Sequence, residues 1–234
     1  MTKITAVIPI RSGSQRVANK NLRPFAGTTL MENKIEMLLK VQELDSIIVN
    51  TNSDEAIRIV NECYNRGGVN HKVSYHRREE YYASSLCSGS EFFEHLGRVT
   101  DTEIFVYTPC TSPFIKPETI SRCINTFLNS EGDTDCVSTV SLVKEFMWLN
   151  SKPINYDPLN APNSQNLPDV MALNFGATIT SRESLISNRN IIGKHPSFVL
   201  TSDIEAIDID TPLDFYIAEQ IYRKVVIEGK GLLE

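Results

Sequence analysis

The chain has 234 residues, of which 41% are hydrophobic and 22% are charged, a composition typical of a globular protein with a full apolar core. Its net charge of −6 leaves no basic surplus to neutralise a nucleic-acid backbone, so a DNA- or RNA-binding protein is not expected. No apolar run approaches the roughly 20 residues that a membrane span needs. The five scattered cysteines form no CxxC pair, which argues against a disulfide framework or a structural zinc site and favours a cytoplasmic protein.

Short apolar runs alternate with helical patterns along most of the chain. In chain order, the pattern predicts strands at 4–10, 46–50, 73–76, 104–107, 136–143, 173–180, 198–201 and 206–209, and helices at 28–41, from 53, at 84–96, 117–128, 181–187 and from 211. Repeated βα units imply parallel strands with helices on both faces. The expected fold is therefore α/β and Rossmann-like, with a mostly parallel sheet, in a single domain over residues 1–234.

The alternation breaks at residues 144–171, which contain four prolines and the only tryptophan, Trp148. Residues 146–149 are four consecutive large apolar residues, which should not remain bare on a monomer. Either the chain's own sheet or a second copy across a two-fold axis could cover them. The segment is expected to be a small inserted lobe.

A basic loop follows the first predicted strand, where residues 11–21 read RSGSQRVANKN. Arg11, Arg16 and Lys20 surround small residues, and such a loop can wrap a polyphosphate with charged side chains and backbone N–H groups. The loop has neither the GK[ST] of a P-loop nor the GxGxxG of a dinucleotide fingerprint. The alternative is a solvated basic loop without a ligand.

Two further polar clusters fall at predicted strand ends, where open parallel sheets bind ligands. Residues 108–113 carry the hydroxyls of Thr111 and Ser112 between two prolines, although a rigid turn before the next helix would have the same sequence. In the second cluster, Asp208 and Asp210 would share one face of a strand. Two such carboxylates beside a phosphate loop suit Mg²⁺, which would offset charge during attack on the α-phosphorus. The alternative is that Asp210 only belongs to a helix cap.

With these clusters in this order, the chain resembles the acylneuraminate cytidylyltransferase family over nearly its whole length. The matching segments are AVIPIRSGSQRVANKN, NTNSDE, HRREEYYASS, TPCTSP, NFGATI and EAIDIDTPLDF. The resemblance implies CTP as the donor, Mg²⁺ as the cofactor, a 2-keto sugar acid as the small acidic acceptor, and a homodimer built partly from residues 144–171.

The resemblance also implies roles for particular residues. Nucleotide binding is expected of Arg11, Ser12, Gly13, Ser14, Asn21, Arg77, Ser84, Ser85, Thr111 and Ser112. A catalytic role is expected of Arg11, Arg16, Lys20, Asp208 and Asp210, with the two aspartates holding Mg²⁺. The residues expected to frame the acceptor are Gln165 and Asn174.

The acceptor side departs from the family's pattern. Gln15 stands where sialate enzymes commonly carry Lys, and Arg16 beside it occurs in the related 3-deoxy-manno-octulosonate enzymes. Pro109 and Cys110 replace a Gln-Pro pair whose Gln is expected to touch the acceptor sugar. The attacking oxygen could therefore belong to a sugar acid, or to a phosphate or phosphonate.

Two other classes of function compete with this interpretation. A non-catalytic nucleotide-binding module is disfavoured because both aspartates are present. A dinucleotide-dependent oxidoreductase is disfavoured because the glycine fingerprint and a Tyr-x-x-x-Lys motif are absent from the sequence.

Overall fold

Seven strands form the central sheet of the computed structural model, which describes residues 2–13, 16–64, 72–130, 132 and 134–233. Numbered along the chain and given in their order across the sheet, they are β11 (Pro196–Leu200), β7 (Cys136–Val143), β10 (Val170–Ser181), β6 (Ile104–Tyr107), β1 (Ile4–Ile10), β4 (Ser46–Thr51) and β5 (Val73–Arg77). All run parallel except β10, which pairs antiparallel with both β6 and β7. The short strands β2 (Pro24–Phe25) and β3 (Thr28–Thr29) pair only with each other. The expected mostly parallel sheet is confirmed, and the direction of β10 is a feature that the sequence pattern did not reveal.

Helices cover both faces of the sheet, because successive strand residues point to opposite sides. They are α1 (Leu30–Leu38), α2 (Asp54–Ile59), α3 (Glu80–Ala83), α4 (Gly89–Val99), α5 (Pro117–Leu128), α6 (Arg182–Asn188) and α7 (Pro212–Tyr222). In β1, Ala6 and Ile8 belong to the core under α1, α5 and α7, whereas Val7 packs with residues of α4 and α6 on the other face. None of the helices in the described part of the chain is long and apolar enough to cross a membrane.

The helix predicted at 84–96 begins later than the sequence indicates. A capping box between Ser88 and Glu91 starts α4 at Gly89. Residues 84–87 form bends between α3 and α4 instead. The prediction was wrong here because periodicity alone did not show where the cap lies.

The strand predicted at 206–209 does not form. The N–H groups of Ala206 and Ile207 close turns on carbonyls earlier in the same segment, so they cannot join a strand ladder. Ile209 is fully buried, and its N–H donates to the carbonyl of Thr111 at 2.9 Å. The aspartate segment is therefore joined to the sheet edge by this backbone bond and by the burial of Ile209 rather than by a strand ladder.

Residues 144–171 leave the sheet and return to it as β10. They contain a short hairpin of β8 (Trp148–Leu149) and β9 (Lys152–Pro153), followed by 3₁₀ turns at Pro158–Asn160 and Ser164–Asn166. The indole of Trp148 donates to the hydroxyl of Tyr156 at 2.8 Å, yet Trp148 remains 54% exposed. The apolar cluster of the hairpin is therefore not covered by the chain's own sheet.

Candidate active site

A cavity of about 460 Å³ opens at the edge of the sheet where β1 and β6 end. These strands are parallel neighbours, with Val7 in register with Tyr107, so the loops that follow them leave the sheet at the same edge. The lining residues are Pro9, Arg11, Arg16, Lys20, Asn21, Arg78, Phe92, Tyr107, Pro109 and Thr111. Five of the residues expected from the sequence thus lie together here: Arg11, Arg16, Lys20, Asn21 and Thr111.

Four cationic side chains line this cavity: Arg11, Arg16, Lys20 and Arg78. Burial and, to a smaller extent, the charge of Arg11 lower the pKa of Arg78 to about 10, which leaves it charged at neutral pH. Like charges that lie this close repel one another unless an opposite charge compensates them. The cavity therefore suits a polyanion such as a triphosphate.

The basic loop contacts the segment that carries the two candidate metal-binding aspartates. Arg16 donates from Nη2 to Oδ1 of Asp210 at 2.8 Å, and Lys20 donates from Nζ to the carbonyl of Ile209 at 2.5 Å. Burial lowers the pKa of Lys20, and the nearby carboxylates of Asp210 and Asp208 oppose this shift. These contacts join residues as much as 194 positions apart, so the fold brings the first and the last polar clusters to one place.

Asp208 and Asp210 supply carboxylates next to the basic loop. Burial raises the pKa of Asp208; a hydrogen bond from Thr111 opposes the shift, and the charge of Asp210 adds to it. No group of three or more His, Cys, Asp or Glu side chains able to hold a metal occurs in the described ranges. Mg²⁺, however, commonly takes only one or two carboxylates and completes its shell with water and phosphate oxygens. The two aspartates therefore fit Mg²⁺ that binds together with a nucleotide.

Lys34 contacts the loop at 108–112, which contributes to the cavity lining, and the sequence analysis did not identify it as a candidate site residue. Its side chain is buried in α1, where Nζ donates to the carbonyl of Ser112 at 2.8 Å and to Oγ1 of Thr108 at 3.2 Å. Burial lowers the pKa of Lys34 to about 7. A signal was present, because Lys34 lies four residues after Leu30 and four before Leu38, on the apolar stripe of the helix.

Arg77 was expected to bind the nucleotide, but its neighbour Arg78 is the arginine that lines the cavity. Arg77 ends β5 and pairs with Asp54 on the surface, Nη2 to Oδ1 at 2.7 Å. Arg78 instead lies in the cavity wall, only 6% exposed, with its guanidinium 4.5 Å from the ring centre of Phe92. Adjacent residues of an extended chain point to opposite sides, so only one of the two arginines can face the cavity.

Other residues of the basic loop have different environments. Ser12 is held by Asn52, which accepts from its N–H at 2.9 Å and donates to its hydroxyl at 2.7 Å. Gly13 has φ of +78°, a backbone conformation that residues other than glycine rarely adopt. Ser14 lies outside the described residues, as does Gln15. Asn21 lines the cavity, and its Oδ1 is buried without a hydrogen-bond partner.

The remaining predicted nucleotide-binding residues do not line the cavity. The hydroxyl of Ser84 donates to the carbonyl of Tyr81 at 2.7 Å, which keeps it within its own turn. Ser85 is exposed on the same turn. Ser112 is buried beneath the cavity, where its carbonyl accepts from Lys34.

Neither residue expected at the acceptor lies in the cavity lining. Gln165 is exposed in a 3₁₀ turn of the 144–171 segment. The side chain of Asn174 is occupied within the fold: Oδ1 accepts from the hydroxyl of Thr139 at 2.6 Å, and Nδ2 donates to Thr201 at 2.8 Å. Asn174 thereby fixes an irregular stretch of β10, and its expected role at the acceptor stays a prediction.

A sheet that gathers basic side chains and two carboxylates at its carboxyl edge has the arrangement of a nucleotidyltransferase. Residues 5–166 match the cytidylyltransferase family, and the chain belongs to that family. The resemblance that the motifs indicate is thereby confirmed.

Individual relatives extend this match along the chain. CMP-N,N'-diacetyllegionaminic acid synthase of Legionella pneumophila is 27% identical over 232 residues, which cover 94% of this chain and 96% of the relative. N-acylneuraminate cytidylyltransferase of Escherichia coli is 25% identical over 95% of this chain, which spans about half (53%) of that longer protein. The solved structure of CMP:2-keto-3-deoxy-manno-octonic acid synthetase with CTP has a TM-score of 0.67 at 15% identity, covering 94% of this chain and 98% of that one. At that identity the likeness shows the fold.

Proposed function

We propose that this protein transfers CMP from CTP to an acidic sugar of the 2-keto acid class and releases pyrophosphate. The observation that carries the proposal is the contact of Arg16 and Lys20 with the Asp208–Asp210 segment at a cavity lined by cations. A triphosphate that lies along the basic loop would have its α-phosphate beside the aspartates. The names of the relatives, which refer to legionaminic and neuraminic acids, support an acidic sugar as the acceptor.

In the proposed reaction, the cationic side chains of the cavity and the two nearby aspartates have different roles. Arg11, Arg16 and Lys20 bind the triphosphate through charge-assisted hydrogen bonds. Mg²⁺ held by Asp208 and Asp210 would supply the positive charge that offsets negative charge on the phosphates. The acceptor oxygen forms a bond to the α-phosphorus as the bond to the oxygen bridging to the β-phosphate breaks. Pyrophosphate leaves with the bonding electrons, and the hydroxyl proton passes to solvent.

A phosphate- or phosphonate-bearing acceptor is the second candidate. Pro109 lines the cavity without a side-chain donor, and Cys110 is buried, with a pKa that burial raises to about 12. Neither can replace the hydrogen bonds of a glutamine amide. A second phosphoryl group, in contrast, would find the cationic lining already in place.

Release of pyrophosphate tests both candidates. CTP and Mg²⁺ are incubated with single acceptors drawn from 2-keto sugar acids and small phosphonates, and UTP replaces CTP as the control. The proposal expects release that depends on CTP and on a sugar acid. Release with a phosphonate alone would select the second candidate. CTP binding without release in any mixture would contradict both and support a non-catalytic module.

We also propose a homodimer, because one face of the sheet is apolar and exposed at the end formed by β11, β7 and β10, beyond the helices that cover the rest of it. Register pairs Leu142 with Met171, and the neighbouring strands present further side chains on the same face. The exposed apolar residues of this face are Leu142, Met171, Leu173, Phe198 and Leu200. Trp148 and Leu149 of the adjacent hairpin are also exposed. Apolar surface of this extent usually marks an interface.

A further inference from the structure

Arg78 is held in the cavity wall by Asn50 of the neighbouring strand β4. Its Nε donates to Oδ1 of Asn50 at 2.6 Å, and its Nη2 donates to the carbonyl of Asn50 at 2.7 Å. Asn50 is fully buried and lies in register with His76 of β5. The second polar atom of the Asn50 amide, Nδ2, lies 3.0 Å from Nδ1 of His76.

The donors in this chain of contacts fix the protonation of His76. The Nε–H of Arg78 can only donate, so the atom of Asn50 that faces it must be the amide oxygen. The amide nitrogen of Asn50 therefore faces His76, and it too can only donate. Nδ1 of His76 must then accept, which requires a neutral ring with its proton on Nε2. A proton on Nδ1 would set two donors against each other.

We infer that Asn50 and His76 are positioning residues that hold Arg78 in the nucleotide-binding cavity only while His76 is neutral, so that acid weakens CTP binding through this pair. The inference rests on the proposed function, because it takes CTP as the ligand of the cavity. If His76 gains a proton on Nδ1, either the Asn50 amide rotates away from Arg78 or its bond to His76 breaks. In the first case Arg78 loses the bond from Nε, and in the second the amide that accepts this bond is no longer anchored by His76. Only the bond from Nη2 to the backbone carbonyl of Asn50 is unaffected in both cases.

The charges around His76 agree with a neutral ring near pH 7. Burial and the cation of Arg78 lower the pKa of His76, whereas Glu79 opposes them. His95 of α4, whose ring centre lies 6.2 Å from that of His76, also has a pKa lowered by burial and by His76 itself. Because the pKa is lowered, the neutral form persists through pH 7, and the hold on Arg78 is lost as the pH falls through the lowered value.

The protonation of His76 can be observed directly in the intact protein. Long-range ¹H–¹⁵N correlation spectra of the histidine rings at pH 7 should show His76 with its proton on Nε2 and a bare Nδ1. The signal is assigned by its loss in His76→Gln. A proton on Nδ1, in either the neutral or the cationic ring, would overturn the inference whatever the fate of the proposed function.

The link to the nucleotide is tested by CTP affinity from pH 7.5 to 5.5, measured by calorimetry. Asn50→Asp would place a carboxylate between Arg78 and His76, and a carboxylate accepts from both an arginine and a protonated histidine. The wild type should lose more affinity over this range than Asn50→Asp, by less than about tenfold, because the pKa of His76 lies below its ordinary value of 6.5 and only the neutral form holds Arg78. Titration of the CTP phosphates affects all variants alike and cancels in the comparison.

Two further variants keep the test decisive. His76→Gln supplies an amide oxygen that can accept from Asn50 but does not titrate. It should therefore lose as little CTP affinity between pH 7.5 and 5.5 as Asn50→Asp, and it can replace that variant in the comparison if Asn50→Asp fails to fold. His195→Gln removes an exposed histidine outside the cavity and should keep the wild-type profile. Equal losses of CTP affinity between pH 7.5 and 5.5 in the wild type and in His76→Gln would overturn the inference. Failure of the wild type to bind CTP at pH 7.5 would instead contradict the proposed function.

Discussion

Asp208 and Asp210 are the residues on which the proposed chemistry depends most. Replacing either by Asn removes a carboxylate charge while keeping the shape, so turnover should fall at least about tenfold, which corresponds to ~1.4 kcal/mol of lost transition-state stabilisation. Asp203→Asn changes an exposed aspartate of the same segment and serves as the matched control. The rates are measured as pyrophosphate release at limiting Mg²⁺. Near-normal rates in both variants would rule out the metal role.

Arg77, the last residue of β5, and Arg78, which follows it, offer a second test at the scale of single residues. Arg78→Ala should weaken CTP binding by about tenfold or more, because a buried charge-assisted contact is lost. Arg77→Ala removes an exposed pair with Asp54, and such surface pairs contribute little. Calorimetry with CTP distinguishes the two variants. Equal affinities for both would contradict the placement of Arg78.

Single residues also show the limits of prediction from sequence. The three cations of the basic loop were predicted because a loop after the first strand must lie at the ligand-binding edge. The choice between Arg77 and Arg78 depends on which side of an extended chain faces the cavity, and the sequence does not contain that information. The motif around Asn174 likewise does not show that its amide is bonded to Thr139 and Thr201 within the fold.

Among the elements, α1 and the loop at 108–112 are joined by Lys34, whose burial should appear in the pH dependence of stability. The pKa of Lys34 is about 7 when folded, against an ordinary value of 10.5, so the unfolded chain binds more protons between these values. Stability should therefore rise from pH 7 to 8.5, by about 1 kcal/mol per pH unit from this group.

Comparison with Lys34→Met isolates this contribution. The free energy of unfolding, measured with urea, should rise with pH in the wild type more steeply than in Lys34→Met. Lys40→Met changes an exposed lysine just after the same helix and should retain the wild-type slope. Parallel curves for the wild type and Lys34→Met would show that Lys34 is not deprotonated by its burial.

Elements were predictable where the local signal is strong. The helix predicted from residue 211 forms as α7, which begins after Thr211 with a Thr211–Asp214 capping box and Pro212 in its first turn. The strand predicted at 206–209 does not form, because alternation of apolar and polar residues also fits a chain whose N–H groups are used in turns. The antiparallel direction of β10 depends on the path of the 144–171 segment, which local patterns do not determine.

For the whole molecule, the exposed apolar face predicts a dimer. Light scattering at micromolar concentration should give twice the mass of the 26.3 kDa chain. Met171→Glu places a charge in this face and should give a monomer. Leu128→Glu, at an exposed apolar position on α5, should leave the dimer intact. A monomeric wild type with the fluorescence of a buried Trp148 would defeat the prediction.

The most direct test of the central claim is the ³¹P NMR spectrum of CTP, Mg²⁺ and a 2-keto sugar acid incubated with the protein. If the basic loop holds the triphosphate and the acceptor attacks the α-phosphorus, the spectrum will show a CMP phosphodiester and pyrophosphate in equal amounts. Formation of CDP and inorganic phosphate would place the attack at the γ-phosphorus and would contradict the account. An unchanged CTP spectrum with every acceptor of the panel, sugar acids and phosphonates alike, would contradict it as well.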